Sequence, residues 1–289
     1  MAHLIDTERK RTSRTLSTSG MCRLAQITRA QFYRQHMRAT EIVSAAEINA
    51  QVKAVALERP TYGYRRVRAE LNRRGSHFSE KRVRCCMRQQ NLLCKRRRRF
   101  IATTDSKHGH PVYPNLARGM SVTGLNQLWV SDITYVRIVR GFVYLAAILD
   151  AHSRRVIGWA MSRSLDSAVA VAALKTALDA RRIGGNLVHH SDRGVQYASC
   201  EYTNLLTGRG IQISMSRRGD PYDNGKCERF MRTLREEEVY LSEYETMSEA
   251  RESIAPFIEE VYNRERRHSA LGYIPPAEFE QQLHQSTGA

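Results

Sequence analysis

Residues 186–194 read NLVHHSDRG: an apolar, strand-like start runs into two histidines, a carboxylate and an Arg-Gly turn. A buried charge is costly unless it is paired or binds a cation. Asp192, ending such a strand, therefore requires partners elsewhere in the chain. The flanking runs give the frame. NQLWVSDITYVRI, GFVYLAAILDA and RRVIGWAMS are β-rich, with short joins, and read as an antiparallel meander. SAVAVAALKTALDARR reads as a helix, NLVHHSD as the fourth strand, CEYTNLLTGRG as a helix and IQISM as a fifth strand. DNGKCERFMRTLREEEVY and MSEARESIAPFIEEVYNRE read as further helices. This order predicts an α/β class, a mixed five-stranded sheet with helices covering it.

Asp132 falls inside the first strand, where period two puts Val130, Asp132, Thr134 and Val136 on one face. An acid among β-branched residues is a misfit there. The predicted order makes the first and fourth strands neighbours, so Asp132 and Asp192 come side by side. Adjacent carboxylates repel unless one is protonated or a cation bridges them. Oxygen ligands of this kind favour Mg²⁺ or Mn²⁺. A third acid is expected from the helix that Asp223 or Asn224 caps. Its Cys227, Phe230, Met231 and Leu234 form a buried stripe, and Glu228 and Arg235 share an adjacent edge. Glu228 then faces the metals and Arg235 a substrate phosphate. The 35 residues between Asp192 and Glu228 decide nothing alone, because this composition gives such a spacing by chance roughly 0.6 times.

Charge points to the partner. Residues 1–120 hold 26 Lys/Arg against 8 Asp/Glu, a net of +18, whereas the remainder holds 20 against 21, a net of −1. Such asymmetry indicates a polyanion, and nucleic acid before others. In the first 45 residues, Thr28 is a good N-cap for a helix carrying Arg29 and Arg34, compatible with helix-turn-helix. Residues 46–100 read more clearly: a helix closed by Pro60, a second stopped at Gly75 that begins with Arg65 and Arg66, and a third capped by Ser79. The third exposes Lys81, Arg82, Arg84 and Arg88, and Lys95, Arg96, Arg97, Arg98 and Arg99 follow. Two short helices around a Gly turn, the second basic, suit a DNA-contacting pair. The bland alternative is a solvated charged face. Residues 101–120, including His108 and His110, are expected to be a linker, 121–282 a core with C-terminal helices, and 283–289 a tail.

No apolar run approaches the roughly 18–20 residues of a membrane span, and the N-terminus lacks a signal-peptide core. The six cysteines show no C-x-x-C spacing, so neither a zinc site nor a disulfide framework is expected. A cytoplasmic, nucleoid-associated protein is the expectation.

Several ordered motifs carry a family resemblance. WVSDITYV (129–136), HHSDRGVQYAS (189–199), SMSRRGDPYDNGKCERFMRTLRE (214–236) and YNRERRHSALGYIPPAEF (262–279) resemble the OrfB transposase of insertion sequences in the IS-three family. TYGYRRVRAEL (61–71) resembles the helix-turn-helix ahead of its core. The resemblance implies a ribonuclease-H-like, retroviral-integrase-like fold and the catalytic, metal-binding trio Asp132, Asp192 and Glu228. It further implies two Mg²⁺ or Mn²⁺ ions per site, cleavage and strand transfer at element ends, and an OrfA-type partner or fusion. Assembly on two DNA ends implies a homo-oligomer on DNA. The sequence departs from the family at Tyr222-Asp223-Asn224-Gly225, at Arg229-Phe230-Met231, and at Arg235, where the family has Lys. His190 and Asn224 are expected to support the acids from behind. Asp150 reads as a turn acid rather than a fourth ligand, and Asn263, Arg266 and His268 either pack the last helix or line DNA. The rival readings are a non-catalytic DNA-binding regulator, a plain ribonuclease H-type nuclease and a tyrosine recombinase. The complete trio, the basic N-terminal region and the wrong order of Arg, His and Tyr273 count against them in turn.

Overall fold

The computed structural model describes residues 18–93, 111–217 and 224–287, without the side chains of residues 21, 34–45 and 287. The chain divides into two compact units, residues 1–96 and 97–289. In the first, α1 (Thr18–Leu24) precedes the long α2 (Arg29–Glu58), which opens on a capping box between Thr28 and Gln31. No Gly or Pro interrupts residues 29–58, so one helix runs through the domain boundary expected at 45/46. α3 (Tyr64–Arg73) and α4 (Glu80–Gln89) pack against its end, with Gly75 at φ 85° turning the chain and Ser79 capping α4. Ile48, Val52, Val67, Leu71, Val83 and Met87 are the centre of this small core.

The second unit holds a five-stranded sheet in the order β3-β2-β1-β4-β5. β1 (Leu128–Ile138), β2 (Gly141–Asp150) and β3 (Val156–Ser162) are the antiparallel meander. β4 (Val188–Ser191) pairs in parallel with β1, and β5 (Gln212–Met215) in parallel with β4. α5 (Ser167–Ala180), the single-turn α6 (Val195–Ala198) and α7 (Cys200–Thr207) cover one face. α8 (Gly225–Leu234) and α9 (Met247–Pro256) cover the other. The sheet is buried on both sides, and β1 alternates as period two requires: Trp129 enters the α5–α7 core, and Leu128 and Val130 the α8–α9 core.

α8 continues as a π-helical segment, Arg235–Val239, and α9 as another, Phe257–Glu265. The second follows Pro256, whose missing N–H loosens the ladder at that point. A 3₁₀ turn, Ser269–Leu271, leads to α10 (Pro276–Thr287), so residues 283–287 of the expected tail are helical. The expected linker is also partly built into the core. Tyr113 packs on the α5–α7 side and Met120 and Val122 on the α8–α9 side, while Leu116 N–H donates to Ser214 Oγ at 2.8 Å. Among the described residues no helix is long and apolar enough to cross a membrane.

Candidate active site

Parallel pairing sets Val130 of β1 opposite His190 of β4. Two residues further on, Asp132 and the Asp192 turn come side by side on strands ~4.8 Å apart. The antiparallel partner of Asp132 is Ala147, and α8 crosses directly over this pair. Cys227 Sγ donates to the Ala147 carbonyl at 3.8 Å, and Asn224 Nδ2 to the Ser131 carbonyl at 2.7 Å. Cys227, Phe230, Met231 and Leu234 form the buried stripe expected of them. Glu228, exposed in the first turn of α8, is thereby held over β1, where the helix N-terminus favours its charge.

The electrostatics register the crowding. Burial first, then the charges of Asp192 and Glu228, push the Asp132 carboxyl up to about 8, against the Ile133 N–H that it accepts at 2.9 Å. Burial also raises Glu228, while Arg232 and Arg235 oppose that shift. Arg235 acts on both acids from two turns along α8, and its Nε donates to the Met231 carbonyl at 3.3 Å. Among the described residues no group of three or more His, Cys, Asp or Glu is arranged to hold an ion. The chemistry of the donors nonetheless suits one: carboxylates that raise one another's proton affinity on top of burial are the oxygen donors a hard divalent cation takes.

Asp192 is fixed by its own turn and by the strand behind it. Its Oδ1 accepts the Gly194 N–H at 2.9 Å, and a Cβ on Gly194 would stand 3.0 Å from that oxygen. His190 is buried between two serines of the β5 edge, Nδ1 at 2.8 Å from Ser214 Oγ and Nε2 at 3.0 Å from Ser216 Oγ. Ser214 Oγ accepts from Leu116 at 2.8 Å and from Ala117 at 3.3 Å, which fills both lone pairs, so its hydroxyl proton goes to Nδ1. Nε2–H then donates to Ser216, whose hydroxyl donates to the Ser191 carbonyl at 3.3 Å. His190 thus ties β5 and the docked 113–117 segment to the strand end that carries Asp192. His189 points to the other face, accepts or donates with Tyr202 Oη at 2.9 Å, and is held down to about 3 by burial and by His190.

Other expectations resolve residue by residue. Asn224 occupies the N-cap position of α8 without a side-chain cap bond; its amide is spent on β1 instead. Asp150 is a turn acid, its oxygens taken by the N–H groups of Asn126, His152 and Ser153. Asn263 pairs its amide with both backbone groups of Val156 on the edge strand β3, and Arg266 makes two bonds to Glu237 at 2.7 and 2.8 Å. His268 stacks edge-on to Tyr262. These three pack the C-terminal elements. In the first unit Lys81, Arg82, Arg84 and Arg88 are exposed on α4. Arg65 pairs with Glu80 at 3.3 Å, and Arg66 lies half-buried over the Tyr62 ring. Lys95–Arg99, the His108/His110 pair and Asp223 lie outside the described residues. The serines of β5 and Arg154 escaped the sequence reading. The S-x-S alternation of ISMS was the available signal for the first, and the basic HSRR turn for the second.

The chain is similar to known proteins over most of its length. Residues 123–221 and 209–276 match the family described as Integrase core domain, and residues 44–100 the HTH-like domain. The chain is 37% identical over 269 residues to the "Insertion element IS600 uncharacterized 31 kDa protein" of Shigella sonnei, covering 92% of this chain and 99% of that protein. It is 35% identical over 270 residues to "Transposase InsF for insertion sequence IS3A" of Escherichia coli (strain K12), covering 91% and 94%. Among solved structures it is similar to the catalytic core domain of BIV integrase, at 18% identity and a TM-score of 0.43 over 57% of this chain and 99% of that one. With its order of helical unit and five-stranded core, the chain belongs to the IS3-type insertion-sequence transposases.

Proposed function

We propose that Asp132, Asp192 and Glu228 are the catalytic acids with which this transposase cleaves DNA at the ends of its insertion sequence and transfers the freed strand. What supports the reading is the convergence of β1, the end of β4 and the first turn of α8, where burial first, then the charges of Asp192 and Glu228, raise the Asp132 carboxyl. Two divalent cations, Mg²⁺ or Mn²⁺, held by these carboxylates would supply Lewis acidity at the scissile phosphate.

The chain's own residues do the positioning. The tie from Asn224 to β1 fixes the height of α8 above Asp132, and hence where Glu228 can reach. The His190–Ser214–Ser216 relay and the Gly194 N–H fix the turn of Asp192. Arg235 brings a positive charge to the same edge, suited to a phosphate oxygen. Preset geometry is what in-line phosphoryl transfer needs most. The exposed cations of α4, Lys81, Arg82, Arg84 and Arg88, contribute DNA affinity, with Arg65, Arg66 and Lys95–Arg99 beside them in sequence. DNA ends, an OrfA-type partner and a homo-oligomer assembled on DNA complete the reading, in a cytoplasmic, nucleoid setting.

The test is Mg²⁺-dependent 3′-end cleavage of the element's terminal DNA with the partner protein present, wild type against Glu228→Gln. Loss of cleavage by at least about a hundredfold, with DNA binding retained, is the expected result. Equal activity of the two proteins removes Glu228 from the site. Binding without cleavage by wild type favours a DNA-binding regulator instead.

A further inference from the structure

A concave site opens on the face of the sheet that carries Val130 and Asp132. It is a cleft of about 390 Å³, within the ~300–1,000 Å³ of small-ligand sites. Met120, Val122 and Val130 give it apolar wall, and Arg154, Lys226 and Arg229 give it charge; no carboxylate lines it. Val130 is two residues from Asp132 on one strand face, ~7 Å along β1. At 100° per residue, Lys226 and Glu228 occupy opposite flanks of α8, with the buried stripe between them. The cleft and the acids are therefore neighbours separated by the first turn of one helix.

Its cations are in an unusual state. Arg154 and Lys226 are half-buried, and neither makes an ion pair among the described residues. Each senses another like charge: burial, and to a smaller extent Arg229, hold Arg154 below its ordinary value against the opposing influence of Tyr262, and burial and Arg154 do the same to Lys226. Asp150 acts on Lys226, but its oxygens are already occupied by backbone N–H groups. Arg154 also adopts φ 63°, a left-handed conformation that a long side chain rarely takes. The turn is pinned on both sides of it. Arg154 N–H donates to the Asp150 carbonyl at 2.9 Å, and the buried Glu280 of α10 accepts from Ser153 Oγ at 2.6 Å and from the Arg155 guanidinium at 2.7 Å. The fold holds converging, partly desolvated positive charges beside an apolar wall, an arrangement an anion with an apolar body would relieve.

We propose that this cleft is a nucleotide subsite, taking one phosphodiester-linked nucleotide of the DNA strand that passes the active site. The phosphate sits on Arg154 and Lys226, and the base or sugar lies against Met120, Val122 and Val130. The assignment rests on the transposase reading, and its test is built on binding so that the two fail separately.

Full-length wild type, Arg154→Gln, Lys226→Gln and the double variant are compared for binding to terminal-sequence duplex by fluorescence anisotropy across salt concentrations. Lys175→Gln, exposed on α5, is the control, and thermal melting confirms that each protein is folded. The double variant should bind at least about tenfold more weakly, with the salt slope reduced by close to two, as loss of two phosphate contacts requires. Single phosphates are then replaced by neutral methylphosphonates. One linkage should weaken wild type and leave the double variant unaffected. Unchanged slope, or a loss spread evenly along the strand, overturns the subsite. Stabilisation of wild type by inorganic phosphate or dAMP with unchanged DNA binding overturns DNA as the source of the nucleotide. If wild type binds in this pattern but does not cleave with Mg²⁺, the subsite stands and the catalytic reading falls. Arg154→Lys should recover most of the salt slope; a variant that melts early is replaced by this one in the comparison.

Discussion

Asp132 sits between Val130 and Thr134 on one face of β1, where the charges of Asp192 and Glu228 both act on it. Its folded-state value of about 8 lies above the ~3.9 of an unfolded chain. Between those values the folded protein holds a proton that the unfolded chain has released, so stability falls as pH rises through about 4 to 8. Asp132→Asn removes this dependence. Without metal, its melting temperature should match or exceed that of wild type near pH 8, and the advantage should shrink toward pH 5. Parallel melting curves across that range would refute the crowding. Mg²⁺ competes with the proton, so it should raise the wild-type melting temperature most near pH 8 and that of Asp132→Asn little. Asn224 offers an independent test at this scale. Asn224→Ala leaves the buried Ser131 carbonyl without its partner, costing about 1–3 kcal/mol. Because that bond also sets the height of α8, cleavage should fall further than DNA binding does, measured on the same preparation.

The elements show why some of this was legible and some was not. Strand period, the Cys227–Leu234 stripe and the cap residues Thr28 and Ser79 are local signals, and all reappear in the structure. The neighbouring of β1 and β4 follows from element order, which predicts the approach of Asp132 and Asp192, and the parallel pairing of Val130 with His190 agrees with it. What the sequence hid is long-range: Asn224 reaching β1, Ser214 and Ser216 enclosing His190, and the 113–122 segment docking on the core. Each depends on a partner tens of residues away, for which composition carries no sign. The boundary expected at 45/46 falls inside one unbroken helix, Arg29–Glu58, although the HTH-like match begins close to it, at residue 44. Gly158 is a further long-range requirement. A Cβ there would meet Ala173 O and lie 2.6 Å from Ala177 N, so β3 and α5 touch backbone to backbone. Gly158→Ala should therefore destabilise the core by about 1–3 kcal/mol through overpacking, visible as a lower denaturation midpoint with an unchanged slope.

At the scale of the molecule, affinity and chemistry are assigned to different parts of the chain. The excess positive charge lies entirely in residues 1–120, while the remainder, with the acids, is close to neutral at −1. Residues 121–289 do not attract DNA through net charge; they need local sites such as Arg235 and the Arg154 cleft, with bulk attraction from residues 1–120. On α4, Lys81, Arg84 and Arg88 share one exposed face opposite the buried Val83 and Met87, with Arg84 lying over the Tyr64 ring. Replacing all three by Gln removes surface charge from a helix whose packing face is untouched, so unit stability should change by less than about 1 kcal/mol. Three phosphate contacts correspond to a salt slope smaller by about 2.7, and affinity should fall steeply at low salt and little at high salt. Cleavage of DNA at saturating protein should continue at close to the wild-type rate, because the three cations belong to the first unit and the acids to the second. A slope unchanged by the triple substitution would remove α4 from the DNA interface. A lost slope accompanied by lost cleavage at saturation would mean that the helix also positions the DNA end for reaction.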